Sequence, residues 1–135
     1  VMDPKYAGKI EFYDLGALEL DLKAKDKNVE IEIKNFLIPH LELVKEEEVR
    51  NKIKKWQDYI DYWAIDWNYR DDTFHNEWQE FRTKQDPKLK LKANSKESAG
   101  ASQQYYKKTG EYKILVKVID IFGNDTTRLL EVNIK

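Results

Sequence analysis

The chain has 135 residues, 41% of them hydrophobic and 13% aromatic, with 24 basic and 25 acidic side chains. This suits one domain with a real core and excludes a disordered chain, although 36% of the residues are charged. The chain has no cysteine, which excludes disulfides and thiolate metal sites; no apolar run is long enough for a membrane span.

Val1-Met2-Asp3-Pro4 lacks the basic-then-apolar pattern of a signal peptide, and the start reads as an excision boundary. The lack of cysteine fits a reducing compartment, so a cytoplasmic setting is expected. Charge is uneven along the chain. Residues 1–49 carry twelve acids and seven bases, residues 50–135 thirteen acids and seventeen bases. Such asymmetry is an electrostatic hint about partners.

Residues 1–16 read as an entering segment or linker, and 17–135 as the domain. Leu18, Leu20 and Leu22 alternate with Glu19, Asp21 and Lys23. Val29, Ile31 and Ile33 alternate with Glu30, Glu32 and Lys34. The polar run Lys25-Asp26-Lys27-Asn28 lies between them. This is an antiparallel hairpin with one wet face. Phe36 to Pro39 ends it. A short helix is expected near 46–55, with acids first, lysines last, and Val49, Ile53 and Trp56 on one face.

Tyr59 to Tyr69 reads as a central strand that sends its tryptophans inward. Arg70-Asp71-Asp72 turns the chain. In Thr73 to Thr83, Trp78 and Phe81 have opposite parity, so the stretch bulges or packs on both faces; offsets of four and three also fit a helix. Lys88 to Lys92 reads as a short alternating strand with lysines on one face, and 94–104 as a loop. Tyr112, Ile114, Val116 and Val118 mark a long strand. Phe122-Gly123-Asn124-Asp125 supplies turn chemistry, and Thr126 to Ile134 returns. The fold class is all-β: an immunoglobulin-like antiparallel β-sandwich of roughly seven strands, with the short helix near 46–55. Its expected core is Leu20, Ile31, Ile33, Ile65, Trp67, Ile114, Val116, Val118, Leu130 and Val132.

No catalytic constellation is legible, and no metal site or cofactor is expected. His40 and His75 are the two histidines, and His75 beside Phe74 reads as a packing residue. Asp66, Asp71 and Asp72 follow one strand, and Asp120 and Asp125 flank the last turn. If both turns share an end, they suit calcium through oxygen; turns also favour Asp for local bonds. The basic stretch is the better candidate: Arg82, Lys84, Lys88, Lys90, Lys92, Lys96, Lys107 and Lys108, with an exposed Tyr105 or Tyr106 stacking on a base. The plain alternative is a solvated face with a lysine-guarded edge.

Two resemblances follow. Tyr106, Gly110, Tyr112, Asp120, Gly123 and Asn124 lie as in polycystic-kidney-disease-type (PKD) or related immunoglobulin-like modules. Trp67-Asn68-Tyr69-Arg70-Asp71-Asp72 resembles their Trp-Asp-Phe-Gly-Asp-Gly-like run, with both glycines absent. The second covers about 56–134. Ile60 to Trp67, Thr73 to Arg82 and Val118 to Thr127 resemble the C-terminal region of prokaryotic adenine-specific DNA methyltransferases and restriction-modification proteins. The catalytic motifs of that family are absent. The resemblance implies a non-catalytic accessory domain contacting the DNA backbone, with DNA and upstream domains of a parent protein as partners and no membrane. The alternatives are a structural or protein–protein docking module without ligand, and a calcium- or carbohydrate-binding sandwich.

Overall fold

The computed structural model describes residues 17–37, 56–83, 85 and 88–135. Strands β1 (Ala17–Lys25), β2 (Asn28–Leu37) and β5 (Lys92–Asn94) form a three-stranded sheet in the order β1-β2-β5. Strands β3 (Ile60–Asp66), β4 (Trp78–Phe81), β6 (Gly110–Asp120) and β7 (Asp125–Ile134) form a four-stranded sheet in the order β4-β3-β6-β7. All pairs are antiparallel, and both sheets contribute to one buried core. This is the immunoglobulin-like sandwich that the alternation predicts. The helix near 46–55, the entering segment 1–16 and Lys84 lie outside the described residues.

The β1–β2 hairpin turns through Asp26 and Lys27, with φ of 53° and 60°. Both residues are left-handed, as a two-residue turn with the twist of its flanking strands requires. Leu18, Leu20, Val29, Ile31 and Ile33 face inward. The register slips between Glu19 and Leu20, which pair with Asn35 and Ile33 and leave Lys34 as the extra residue. That bulge turns Phe36 inward, opposite Leu18, despite its opposite parity to Ile33.

Trp63, Ile65 and Trp67 are fully buried, as expected of a central strand. Ile60 is buried as well, against the parity. Ile60 pairs with Asp120 and Tyr62 with Ile119, so Asp61 is an extra residue and Ile60 rotates onto the core face. Both buried indoles donate their N–H groups to the connection between β4 and β6. Trp63 reaches the Lys90 carbonyl at 2.8 Å, and Trp67 reaches the Ser98 hydroxyl at 3.1 Å. An apolar body with one polar tip suits such pegging.

The stretch 73–83 packs on both faces. Trp78 is buried edge-on to Trp63 at 4.7 Å, while Phe81 points outward and stacks on Tyr62 at 4.6 Å. The expected strand at Lys88 to Lys92 is corrected, because β5 begins only at Lys92. Residues 88–91 cross between the sheets and divide their backbone bonds. The Lys90 N–H donates to the Glu80 carboxylate, whereas the Leu91 carbonyl accepts from Ile33 N–H. Neither sheet can ladder with both.

Residues 95–105 are held by Asn28. Its side-chain oxygen accepts from the Ser95 hydroxyl and from Tyr105 N–H, and its amide donates to the Gln103 carbonyl. A capping box closes the 3-10 turn Ser95–Ser98, with Asn94 taking Lys96 N–H and Glu97 taking Asn94 N–H. The β6–β7 turn follows Asp120 with a bond from Gly123 N–H to the Asp120 carbonyl, and Gly123 has φ 86°. This is a tight turn followed by a left-handed residue, the three-residue hairpin pattern. Of the expected core, nine residues are buried and Leu130 is partly buried.

Candidate docking surface

The carboxylates that close the strands lie apart. Ile60 pairs with Asp120 and Asp66 with Leu115, so β3 and β6 end at opposite ends of the sheet. Asp66, Asp71 and Asp72 therefore cannot join Asp120 and Asp125 around one ion, and the calcium alternative is corrected on that ground. Each buried aspartate serves its own turn. Asp66 accepts from the main-chain N–H of Asn68 at 3.0 Å and of His75 at 2.7 Å. Asp120 accepts from Phe122 N–H at 2.9 Å and Asn124 N–H at 3.1 Å. Among the described residues, no group of three or more His, Cys, Asp or Glu is placed to hold a metal.

The basic candidates are spread out. Arg82 lies at the start of β3, where its guanidinium donates to the Ile60 carbonyl at 3.0 Å and to the Gln57 carbonyl, and faces Asp58 at 4.0 Å. Lys88, Lys90 and Lys92 are exposed around buried Leu89 and half-buried Leu91. Lys90 pairs with Glu97 at 3.3 Å, and Lys92 stands opposite Glu32. Lys96 is exposed in the capped turn. Lys107 and Lys108 are exposed beyond Tyr106, which bonds the Lys27 carbonyl at the hairpin turn, far along the sandwich from Arg82. The structure thus sets Lys90 and Lys92 beside carboxylates and places Lys107 and Lys108 at the other end of the sandwich from Arg82.

The expectation of an exposed tyrosine platform is corrected. Tyr106 is buried, and its hydroxyl donates to the Trp67 carbonyl at 2.6 Å. Tyr105 is half-buried, set edge-on to Tyr106 at 4.8 Å, and its hydroxyl donates to the Glu77 carboxylate at 2.6 Å. Burial first, then the Glu77 hydrogen bond and charge, pushes the Tyr105 phenol well above its ordinary value. Burial, then the neighbouring Tyr105, does the same for Tyr106.

What the residue pattern missed is an apolar end. Leu37 is 53% exposed, Phe81 47%, Phe122 41% and Ile121 38%. All four lie at the end where β2 stops, β3 starts and β6 turns into β7. Ile121 N–H donates to the Tyr59 carbonyl at 2.9 Å, tying the turn to the entry of β3. On the outer face of the four-stranded sheet, Phe81, Tyr62 and Ile119 are cross-strand neighbours in one row. The signal was present in part: Ile121-Phe122 sits in a turn, and Phe81 has the wrong parity for the core beside Trp78. The outer face of the three-stranded sheet contrasts with this end. It carries Glu19, Asp21, Lys23, Glu30, Glu32, Lys34 and Lys92, with Lys23 opposite Glu30 and Lys34 bonded to Glu32 at 3.2 Å.

No protein-family model matches the chain, and no curated protein matches it. Among solved structures, the chain is similar to the PKD1 domain from Vibrio cholerae metalloprotease PrtV, with a TM-score of 0.47 at 12% identity over 89% of this chain and 96% of that one. It is similar to the same degree, TM-score 0.47, to the PKD1 domain of Vibrio anguillarum Epp, at 11% identity over 89% and 93%. The reading as a DNA methyltransferase, restriction-modification or DNA-binding domain is corrected: no family model and no curated protein supports it. The runs behind that reading are β3, the β4 region and the β6–β7 turn. They are neighbours in one sheet. The chain is an immunoglobulin-like all-β sandwich, and none of its described helices is long and apolar enough to cross a membrane.

Proposed function

We propose that this is a structural domain that docks on another protein surface through one end of its sandwich. The supporting observation is that the exposed large apolar side chains Leu37, Phe81, Ile121 and Phe122 gather at that end, while the outer face of the three-stranded sheet is charged. Large apolar groups gathered on a surface mark a contact site more often than an isolated one does. The core itself is filled by side chains from both sheets.

The test is site-specific photo-crosslinking in the intact protein within its own cell extract. A photoreactive side chain at position 122 should give a discrete protein adduct, and the same probe at position 23, on the charged face, should give none. Equal yields from the two positions would refute docking through this end.

A further inference from the structure

Resting on that docking reading, we infer that the partner surface is basic: an apolar strip flanked by lysine or arginine. The charges around the apolar end carry the argument. Asp61, the bulged residue of β3, is exposed beside Tyr62. Asp125 is exposed and pairs with Ile119, so it ends the row formed by Phe81, Tyr62 and Ile119. The Asp58 side chain is 43% exposed in the adjoining 3-10 turn. Among the described residues, the cations beside this row already have partners. Arg82 is held by the Ile60 and Gln57 carbonyls and faces Asp58, and Lys117 sits 5.3 Å from the centre of the Phe74 ring.

An apolar row with an acidic rim selects its partner by charge. A second copy of this chain would bring Asp61 and Asp125 against like charges, and an anionic polymer would meet the same repulsion. A surface that carries cations on both sides of apolar residues satisfies both features at once.

The probe is a short amidated peptide alternating leucine and lysine, compared with its leucine–glutamate counterpart by titration calorimetry against the whole chain. The lysine peptide should bind at least about tenfold more tightly, and rising salt should narrow the difference. The double variant Asp61→Asn/Asp125→Asn should remove most of the preference. The Phe122→Ser variant, at an exposed turn tip, should weaken binding of the lysine peptide. Equal affinity for both peptides, or a preference untouched by Asp61→Asn/Asp125→Asn, would overturn the inference. A concentration-dependent dimer that Phe122→Ser abolishes would overturn it in favour of a second copy. Selective crosslinking at position 122 without a lysine preference would overturn this inference alone; uniform crosslinking would overturn the docking reading beneath it.

Discussion

The Tyr106 hydroxyl donates to the Trp67 carbonyl oxygen at 2.6 Å, across 39 positions of sequence, and both residues are buried. The bond ties the chain entering β6 to the far end of β3. Trp67 in turn pegs Ser98 through its indole, and Ser98 donates to the Glu77 carbonyl at 2.8 Å. The connection between the sheets is therefore held from the core outward.

Tyr106→Phe keeps the ring and removes the donor. The Trp67 carbonyl then stays buried without that partner, and the expected loss is about 1–3 kcal/mol of unfolding free energy. Urea denaturation monitored by tryptophan fluorescence measures it, and an unchanged midpoint would contradict the assignment.

Alkaline pH should destabilise the fold through the same tyrosines. Both phenols titrate higher in the folded chain than their ordinary 10.0. Above that value the unfolded chain loses protons that the folded chain keeps, so ∂ΔG/∂pH is negative. The contribution is whole below pH 10 and declines as pH rises beyond it. Denaturation at pH 8 to 11 should show a steeper fall for the parent chain than for Tyr106→Phe.

Lys27 occupies a left-handed conformation at φ 60° that costs an ordinary side chain about 1–2 kcal/mol. Lys27→Gly produces an Asp-Gly turn, the preferred pair for this hairpin, and should raise stability by about 1 kcal/mol. Gly123→Ala should act in the opposite direction by a similar amount, because Gly123 holds φ 86°. Thermal melts of the two variants should shift in opposite senses.

Asp66 and Asp120 close two antiparallel strands, but their carboxylates are used differently. Both oxygens of Asp66 accept main-chain N–H groups. Only one oxygen of Asp120 does, and its Oδ2 has no hydrogen-bond partner. An amide can therefore replace Asp120 without facing a donor with a donor, but it cannot replace Asp66 so. Asp66→Asn should cost about 1–3 kcal/mol and Asp120→Asn less than about 1 kcal/mol. Equal losses in chemical denaturation would contradict this difference.

The period-two pattern of Leu18 to Leu22, Val29 to Ile33 and Ile114 to Val118 was enough to assign strands and inward faces. A sheet with one buried face must alternate, so burial is written locally in the residues. The Gly123 turn was legible for the same local reason. The inward positions of Phe36 and Ile60 were not, because the bulges at Lys34 and Asp61 arise from the register of strand pairing, with β1 across the hairpin and with distant β6. The same holds for the break in the lysine run before β5, where two sheets compete for one backbone.

The candidate surface depended still more on tertiary structure. By itself the sequence determined an all-β chain, its core-facing residues and its lack of cysteine. It displayed the lysines between 82 and 108 as a group, because they are close along the chain. Folding separates Arg82 from Lys107 and Lys108, pairs Lys90 with Glu97, and buries Tyr106. It also gathers Leu37, Phe81, Ile121 and Phe122 from three places in the chain. Strand alternation is a property of neighbours in sequence; a surface is a property of neighbours in space, and the antiparallel pairing of β3 with β4 and β6 put Phe81 and the Ile121-Phe122 turn at one end.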